Sequence, residues 1–133
     1  MSDIPVGAKG TFEIAVAPEH LANQFKDALL PPVLATPVMV MIMENAALNA
    51  IRPYLEPGES AVGTRIDVAH LAPTPVGQHV RGEAEVTQVD GRHVAFTVRA
   101  FDERREIGRG THERMTIDLA KFTERLEAGT GGG

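Results

Sequence analysis

The stretch VMVMIMENAALNAI, which runs from Val38 to Ile51, is the clearest helix of this 133-residue sequence. Apolar residues occupy nearly every side of that helix, so we expect it to be buried nearly all round. Thr36 is predicted to be the N-cap, and Pro37 fits the first helical position, where its missing N–H costs nothing. Small residues on the helix would let a neighbouring element approach closely. These residues are Ala46, Ala47 and Ala50.

Strand patterns lie on both sides of this helix. One strand, Thr11–Ala17, is predicted before it, and four follow it, where the apolar period changes to two. A bulge is expected near Gln88, because Val89 is out of phase with the residues before it. Asp90-Gly91 is a strong hairpin signal. The residues predicted to share a face in the four later strands are Val62, Thr64, Ile66, Val68 and His70; Val80, Gly82, Ala84 and Val86; Val94, Phe96, Val98 and Ala100; and Gly108 and Gly110.

The order of these elements predicts the fold. An antiparallel sheet needs a cover for its apolar face, and the helix from Val38 to Ile51 is the only adequate cover. We therefore predict an α+β hotdog fold, in which an antiparallel sheet wraps around one long central helix. Residues 1–128 form this single domain, with a short helix at Asp118–Leu126, and 129–133 form a flexible Gly-rich tail. Exposed strand edges and the all-round apolar helix further predict a homodimer.

Composition excludes several classes of protein. The chain has no cysteine, which removes disulfides, thiolate zinc sites and cysteine nucleophiles. Its net charge is −5 and it has no basic block, so we expect no nucleic-acid partner. The longest apolar run, Pro37–Met43, is too short to span a bilayer, so we expect a soluble, cytoplasmic protein with no membrane association. No metal site is expected either, since the histidines outside the candidate site lack metal-ligand spacing. These are His20, His79, His93 and His112.

Several motifs resemble those of the fluoroacetyl-CoA thioesterase family of hotdog proteins. The similarity extends from about Ile4 to Phe122, and it is densest from Met43 onward. The most specific stretches are Tyr-Leu-Glu-Pro-Gly-Glu and Gly-Thr-His-Glu-Arg. The motifs are Ala35-Thr36, Met43-Glu44, Pro53-Tyr54-Leu55-Glu56-Pro57-Gly58-Glu59, Val68-Ala69-His70, Thr74-Pro75-Val76-Gly77 and Gly108-Arg109-Gly110-Thr111-His112-Glu113-Arg114.

This resemblance implies an acyl-CoA thioesterase that hydrolyses a small or short-chain acyl-CoA to free acid and CoA. It places the catalytic threonine, glutamate and histidine at Thr36, Glu44 and His70. It also implies that Gly63 and Arg114 contact the acyl group. No cofactor is implied, since coenzyme A is part of the substrate.

One stretch departs from the family pattern. Members specialised for fluoroacetyl groups close the acyl pocket with phenylalanines that precede the threonine. The corresponding stretch, Phe25–Leu30, has aspartate and leucine at the gate positions. We therefore expect a more general short-chain thioesterase rather than one restricted to fluoroacetyl-CoA.

The residues themselves support this chemistry but leave alternatives open. Glu44 lies in an apolar helix and needs a partner there. His70 suits proton transfer near neutral pH, although a core histidine is the commoner role for a residue in such a pattern. Thr36 could attack the thioester, orient water, or simply cap the helix. On one helix, Thr36 and Glu44 would be about 12 Å apart, which favours a site between two subunits. A hotdog enoyl-CoA hydratase or dehydratase, a non-catalytic acyl-CoA-binding module and a carrier-protein thioester substrate also remain possible.

Overall fold

The computed structural model describes residues 3–132, and it contains five strands, three helices and two short 3₁₀ turns. The long strands and the long helix lie close to where the sequence predicts them. In chain order the elements are β1 (Lys9–Ala15), a 3₁₀ turn (Pro18–His20), α1 (Ala22–Phe25), α2 (Thr36–Ile51), a 3₁₀ turn (Arg52–Tyr54), β2 (Glu59–His70), β3 (His79–Asp90), β4 (His93–Phe101), β5 (Glu106–Asp118) and α3 (Leu119–Gly132).

The five strands form one antiparallel sheet in the order β1-β3-β4-β5-β2. The helix α2 lies against its inner face, so the predicted α+β hotdog fold is confirmed. The expected close approach to the alanines of α2 is made by β1. Gly10 on β1 lies so near Ala46 and Ala50 that a methyl group at Gly10 would overlap their backbone. Gly82 is equally close to Ile42. Helix and sheet are therefore in backbone contact at the β1 and β3 side.

Burial follows the all-round apolar character of α2. The side chains of Met39, Ile42 and Met43 are completely buried, and no aliphatic residue from Val38 to Ile51 is fully exposed. Glycine on β5 accommodates this bulk, since a Cβ at Gly108 would lie 2.5 Å from Met39 Sδ. The central helix is thus the core of the domain rather than a surface element.

The helix begins one residue earlier than predicted. Ala35 is the N-cap, Thr36 is already helical, and no side chain caps the first turn. The amides of Val38 and Met39 both donate to the carbonyl oxygen of Ala35. The Thr36 hydroxyl is consequently free to bond elsewhere, and the prediction that Thr36 is the N-cap was wrong.

The strand register shifts at three places in the described sheet, and the third lies between Ala100 and Phe101 on β4. The one between Val86 and Gln88 was predicted from the phase of the sequence, and the register confirms it. A second lies between Gly63 and Arg65 on β2, with Thr64 as the extra residue. Because of it, Val62 pairs with Met115 and lies on the opposite face from His70, so the prediction that these two share a face was wrong, and Thr64 has no partner in the register.

The ends of the domain differ from prediction in extent. The helix α3 continues to Gly132 instead of ending near Leu126, because glycine lowers helix propensity without forbidding helical backbone angles. The flexibility of residues 129–133 stays a prediction, and Gly133 lies outside the described residues. Within the described part of the chain, no helix has both the length and the apolar character needed to cross a membrane.

Candidate active site

The first half of the candidate site joins the start of α2 to the end of β2. Thr36 is the first residue of α2 and His70 is the last residue of β2. Thr36 Oγ1 and His70 Nδ1 are 2.8 Å apart, a hydrogen-bond distance. The family resemblance names both residues, and the fold brings them together within one chain.

Backbone hydrogen bonds fix both residues in place. The amide of Ala35 donates to the His20 carbonyl at 2.9 Å, and the amide of Leu34 donates to the Thr74 carbonyl at 2.8 Å. Directly after His70, the amide of Leu71 donates to the Ile107 carbonyl at 2.6 Å. The hydroxyl and the imidazole are therefore held by rigid backbone on either side.

The environment of His70 favours its neutral form. Burial lowers the pKa of His70 below 6.5, and the backbone of Ala72 raises it by a smaller amount. The ring atom Nε2 is buried and makes no well-formed hydrogen bond with any described residue. A neutral imidazole that contacts Thr36 through one ring nitrogen is suited to accept a proton at neutral pH.

A cavity of about 430 Å³ opens beside this pair. Apolar side chains provide most of its wall, and Lys26 adds a positive charge. Of the expected gate residues, Leu30 lines the cavity, whereas Leu29 is 95% exposed and Asp27 accepts a hydrogen bond from the Leu29 amide at 2.8 Å. The lining residues are Ala22, Lys26, Leu30, Pro31, Val33, Leu34, Thr36, His70, Leu71, Ala72 and Pro73.

The second half of the candidate site lies further along α2 and at the other end of β2. There Glu44 faces Gly63, so that a Cβ at Gly63 would be 3.0 Å from Glu44 Oε2. The same point would be 3.4 Å from His112 Cε1 and 3.8 Å from Arg114 Nη1. A carboxylate, an imidazole and a guanidinium thus converge on the space above a glycine.

Arg114 is buried, with 7% of its surface exposed. Its Nη2 donates to the Ala61 carbonyl at 2.6 Å, and its Nη1 lies 3.2 Å from His112 Nε2. Burial lowers the pKa of Arg114, while the negative charge of Glu44 raises it. The buried Nε has no hydrogen-bond partner among the described residues, which leaves one donor of a charged group available.

The two halves do not meet within one chain. Eight residues of α2 separate Thr36 from Glu44, which is about 12 Å along a helix. Seven residues of β2 separate Gly63 from His70, which is about 20 Å along a strand. A single chain therefore presents Thr36 with His70 at one place, and Glu44 with Gly63 and Arg114 at another.

His112 is the site residue that sequence reasoning missed. The sequence indicates only that this histidine lacks the spacing of a metal ligand. Within the described part of the chain, no three acidic or histidine side chains are grouped to hold a metal ion. One feature of the sequence could have identified His112 as a site residue. It lies two residues before Arg114 on a strand, which puts both side chains on one face. The Gly-Thr-His-Glu-Arg motif contains both.

Known proteins resemble this chain over nearly its whole length. A profile described as fluoroacetyl-CoA-specific thioesterase matches residues 16–120. The fluoroacetyl-CoA thioesterase of Streptantibioticus cattleyicolor is 43% identical over 133 residues, which cover 96% of each protein. A crystal structure of the fluoroacetyl-CoA thioesterase FlK superposes with a TM-score of 0.89 at 40% identity, covering 96% of this chain and 98% of that one.

A second solved structure adds a ligand. It is a phenylalanine-to-alanine variant of FlK in complex with fluoroacetate and CoA, with a TM-score of 0.83 at 43% identity. The superposition covers 89% of this chain and 98% of that one. The matched region includes both halves of the candidate site, from Thr36 to Arg114. This chain therefore belongs to the fluoroacetyl-CoA-specific thioesterase family.

Proposed function

We propose that this protein is a thioesterase that hydrolyses the CoA thioester of a small acyl group, releasing the free acid and the CoA thiol. The contact between Thr36 and His70 carries this proposal, because it puts a hydroxyl on an imidazole at the mouth of a cavity. A thioester is an activated acyl donor, so its hydrolysis needs a nucleophile, a base and donors for the developing oxyanion. The site offers a candidate for each.

The tautomer of His70 decides how Thr36 acts. If Nδ1 carries no proton, it accepts the Thr36 hydroxyl proton, and Oγ1 attacks the thioester carbon to form an acyl-threonine ester that water then cleaves. If Nδ1 carries the proton, it donates to Oγ1, and Nε2 takes a proton from the attacking water. In both cases the carbon–sulfur bond of the thioester breaks, and the CoA thiolate takes the proton that His70 has accepted. The N-terminus of α2 supplies positive potential near the reacting carbonyl.

Glu44, Gly63 and Arg114 are proposed to complete the site across a homodimer. The strand β2 is an edge of the sheet and is 12 residues long, with Ile66 39% exposed. An edge of this length presents unpaired backbone groups to another strand. Antiparallel pairing of two β2 strands around a two-fold axis midway between Gly63 and His70 would put each His70 near Gly63 and Glu44 of the partner subunit.

In such a homodimer, each residue of the second half of the site has a defined role. Glu44 of the partner subunit would orient His70 and stabilise its cation, or activate water. Arg114 would use its unoccupied Nε to bind an oxygen of the substrate, which accounts for a buried donor with no partner. Gly63 would leave room for the acyl group between these two side chains.

The substrate range follows from the cavity wall. Leu30 lines the cavity and is smaller than phenylalanine, so we propose that the site accepts acetyl and other short acyl groups rather than fluoroacetyl alone. Lys26 lies in the same wall and suits the phosphates of CoA. The reaction as proposed needs no cofactor, and its substrate pool places it in the cytoplasm.

A panel of short acyl-CoAs, scored by release of free thiol, tests this proposal. We expect turnover by the purified protein and loss of turnover in His70→Ala and Glu44→Ala, with circular dichroism spectra unchanged. Full activity in both variants would contradict the site assignment. Tight binding of acyl-CoA without thiol release would contradict the enzyme.

A further inference from the structure

The partners of His112 define its protonation state. Its Nδ1 lies 2.7 Å from the Arg65 carbonyl oxygen, which can only accept, so Nδ1 must carry a proton. Its Nε2 lies 3.2 Å from Nη1 of Arg114, which can only donate, so Nε2 must be unprotonated. These two contacts require a neutral imidazole of one particular tautomer.

The ring of His112 is also fixed in orientation. It is 1% exposed and stacks on Phe96, with centroids 5.8 Å apart and an angle of 25° between the planes. Arg65 follows the bulged Thr64 on β2, so the bulge lies directly beside the residue whose carbonyl accepts from Nδ1. The imidazole is therefore held by a strand on one side and by an aromatic ring on its face.

We propose that His112 is a positioning residue, which holds the Arg114 guanidinium beside Gly63 and Glu44 by accepting a hydrogen bond on Nε2. This inference rests on the proposed function, in which Arg114 contacts the substrate. Arg114 has two acceptors, Ala61 on β2 and His112 on its own strand, and these two fix the plane of the guanidinium. In this role His112 does not act on the reacting atoms, and its effect on catalysis is exerted through Arg114.

The charges around His112 suit this role. Glu44 on α2 and Glu113 on β5 favour its protonation, whereas Arg114 opposes it. Burial is the largest influence and lowers the pKa of His112, and the bond to Arg65 works the other way. A protonated His112 would lose its acceptor and repel Arg114, so the neutral form is the one that positions the guanidinium.

Substitutions at His112 separate positioning from packing. His112→Phe keeps an aromatic ring against Phe96 but removes the acceptor, whereas His112→Gln can place an amide oxygen where Nε2 was. We expect His112→Phe to lower kcat/KM for short acyl-CoAs about 10- to 100-fold, the effect of losing a hydrogen bond to a charged group. His112→Gln should recover most of that loss. The control is His93→Phe, an exposed histidine on the neighbouring strand.

A double-mutant cycle identifies the residue through which His112 acts. In an Arg114→Met background, His112→Phe should cause no further loss of kcat/KM, because the group it positions is gone. An equal loss in both backgrounds would overturn the proposal, and so would wild-type activity in His112→Phe. Equal melting temperatures for the Phe and Gln variants would show that their difference in activity is not a difference in folding.

A measurement that does not depend on enzyme activity tests the role of His112 separately from the proposed function. Imidazole nitrogen NMR spectra should show His112 protonated on Nδ1 at neutral pH, with an Nε2 resonance that shifts in Arg114→Met. The opposite tautomer, or an Nε2 resonance unaffected by Arg114→Met, would overturn the positioning role even in a protein with no thioesterase activity. A wild-type protein that shows the expected spectra but releases no thiol would overturn only the proposed function.

Discussion

Gly63 and His70 lie on the same side of the sheet although their positions on β2 differ by seven, an odd number. Gly63 pairs with Arg114 and His70 pairs with Gly108, and these two partners lie on one face of β5. Strand side chains alternate between faces, so Gly63 and His70 would face opposite sides of a regular strand. The bulge at Thr64 removes that conflict, and it puts both candidate site residues on the side that α2 covers.

The space above Gly63 should be essential for activity but not for folding. In Gly63→Ala, the new methyl group would lie 3.0 Å from Glu44 Oε2, so the carboxylate has to move by a few tenths of an ångström. Gly63 is exposed in the single chain, which leaves Glu44 room to move. We expect thiol release to fall about tenfold or more and the unfolding free energy to change by less than about 1 kcal/mol.

Thr64→Ala is the matched control for this substitution. It trims an exposed side chain at the neighbouring position and adds nothing near Glu44. Steady-state kinetics and denaturant unfolding of both variants measure the two effects. Unchanged kinetics in Gly63→Ala would show that this space is not used by the substrate.

Mixing two inactive variants tests whether one site takes residues from two subunits. Thr36→Val and Glu44→Gln should each be inactive alone. In a mixed dimer, one of the two sites would combine the intact Thr36 of one chain with the intact Glu44 of the other. Random exchange of subunits should then restore about a quarter of wild-type thiol release.

The control for mixing uses two residues from the same half of the site. Thr36 and His70 are bonded within one chain, so a mixture of Thr36→Val and His70→Ala has no site with both residues intact. That mixture should stay inactive. Recovery in this control, or no recovery in the first mixture after subunit exchange has been verified by mass spectrometry, would contradict a shared site.

Local patterns predicted the framework of this fold better than its site. The helix from Val38 to Ile51 and the turn at Asp90-Gly91 are encoded by neighbouring residues, and the structure confirms both. The bulge at Thr64 depends on how β2 pairs with β5, which alternation along one strand does not reveal. Sequence alternation therefore put Val62 on the wrong face.

The site depended even more on distant contacts. Thr36 and His70 are 34 residues apart, so only the family resemblance named them together before the structure placed them at 2.8 Å. The role of His112 required the bond from its Nδ1 to the Arg65 carbonyl, between residues 47 apart. Hydrogen-bond partners of this kind are fixed by tertiary structure, and the sequence indicated of His112 only that it lacks metal-ligand spacing.

Thiol release should fall at acid pH, with a midpoint below 6.5. Burial lowers the pKa of His70, so the imidazole stays neutral and able to accept a proton until the pH is below its ordinary value. His112→Gln removes the other buried histidine of the site. If His70 causes the loss of activity at acid pH, the midpoint of the pH–activity profile should stay below 6.5 in this variant. A midpoint well above 6.5 in the wild type would contradict this assignment.

The same shifts predict how stability depends on pH. The pKa values of His70 and His112 are lower in the folded chain than the 6.5 of the unfolded chain. At a pH between the folded-state and the unfolded-state pKa of each histidine, the unfolded chain binds more protons than the folded chain. The unfolding free energy therefore rises with pH in that range. Stability should be full above about 6.5 and should decrease as the pH falls through that range, as urea unfolding would measure.

Lys26 should contribute to binding of CoA and not to the chemical step. Its positive charge in the cavity wall can attract a phosphate, so Lys26→Ala should raise KM for acetyl-CoA about threefold to tenfold at low salt and leave kcat unchanged. With acetyl-pantetheine, which has no phosphate, the substitution should have no effect. Lys9→Ala is the control, because Lys9 lies on the far edge strand within 3.7 Å of Glu85. An equal rise in KM for both substrates would show that Lys26 acts on the acyl or pantetheine part instead.

The hydroxyl of Thr36 should matter for catalysis and very little for the helix that it begins. Thr36→Val keeps the shape of the side chain and removes the bond to His70, so thiol release should fall at least about 100-fold. Thr36→Ser keeps the hydroxyl and should stay within about tenfold of the wild type. Because Ala35 is the N-cap and no side chain caps the helix, neither change should alter the unfolding free energy by more than about 1 kcal/mol.

Rapid mixing of wild-type protein with acetyl-CoA then distinguishes the two roles of Thr36. A nucleophilic hydroxyl should give a burst of thiol close to one equivalent of sites, with an added acetyl mass on the peptide that contains Thr36. A hydroxyl that only orients water should give neither signal. Wild-type turnover in Thr36→Val would contradict both roles. The contact at 2.8 Å between Thr36 and His70 would then serve only to hold the end of β2 against the start of α2.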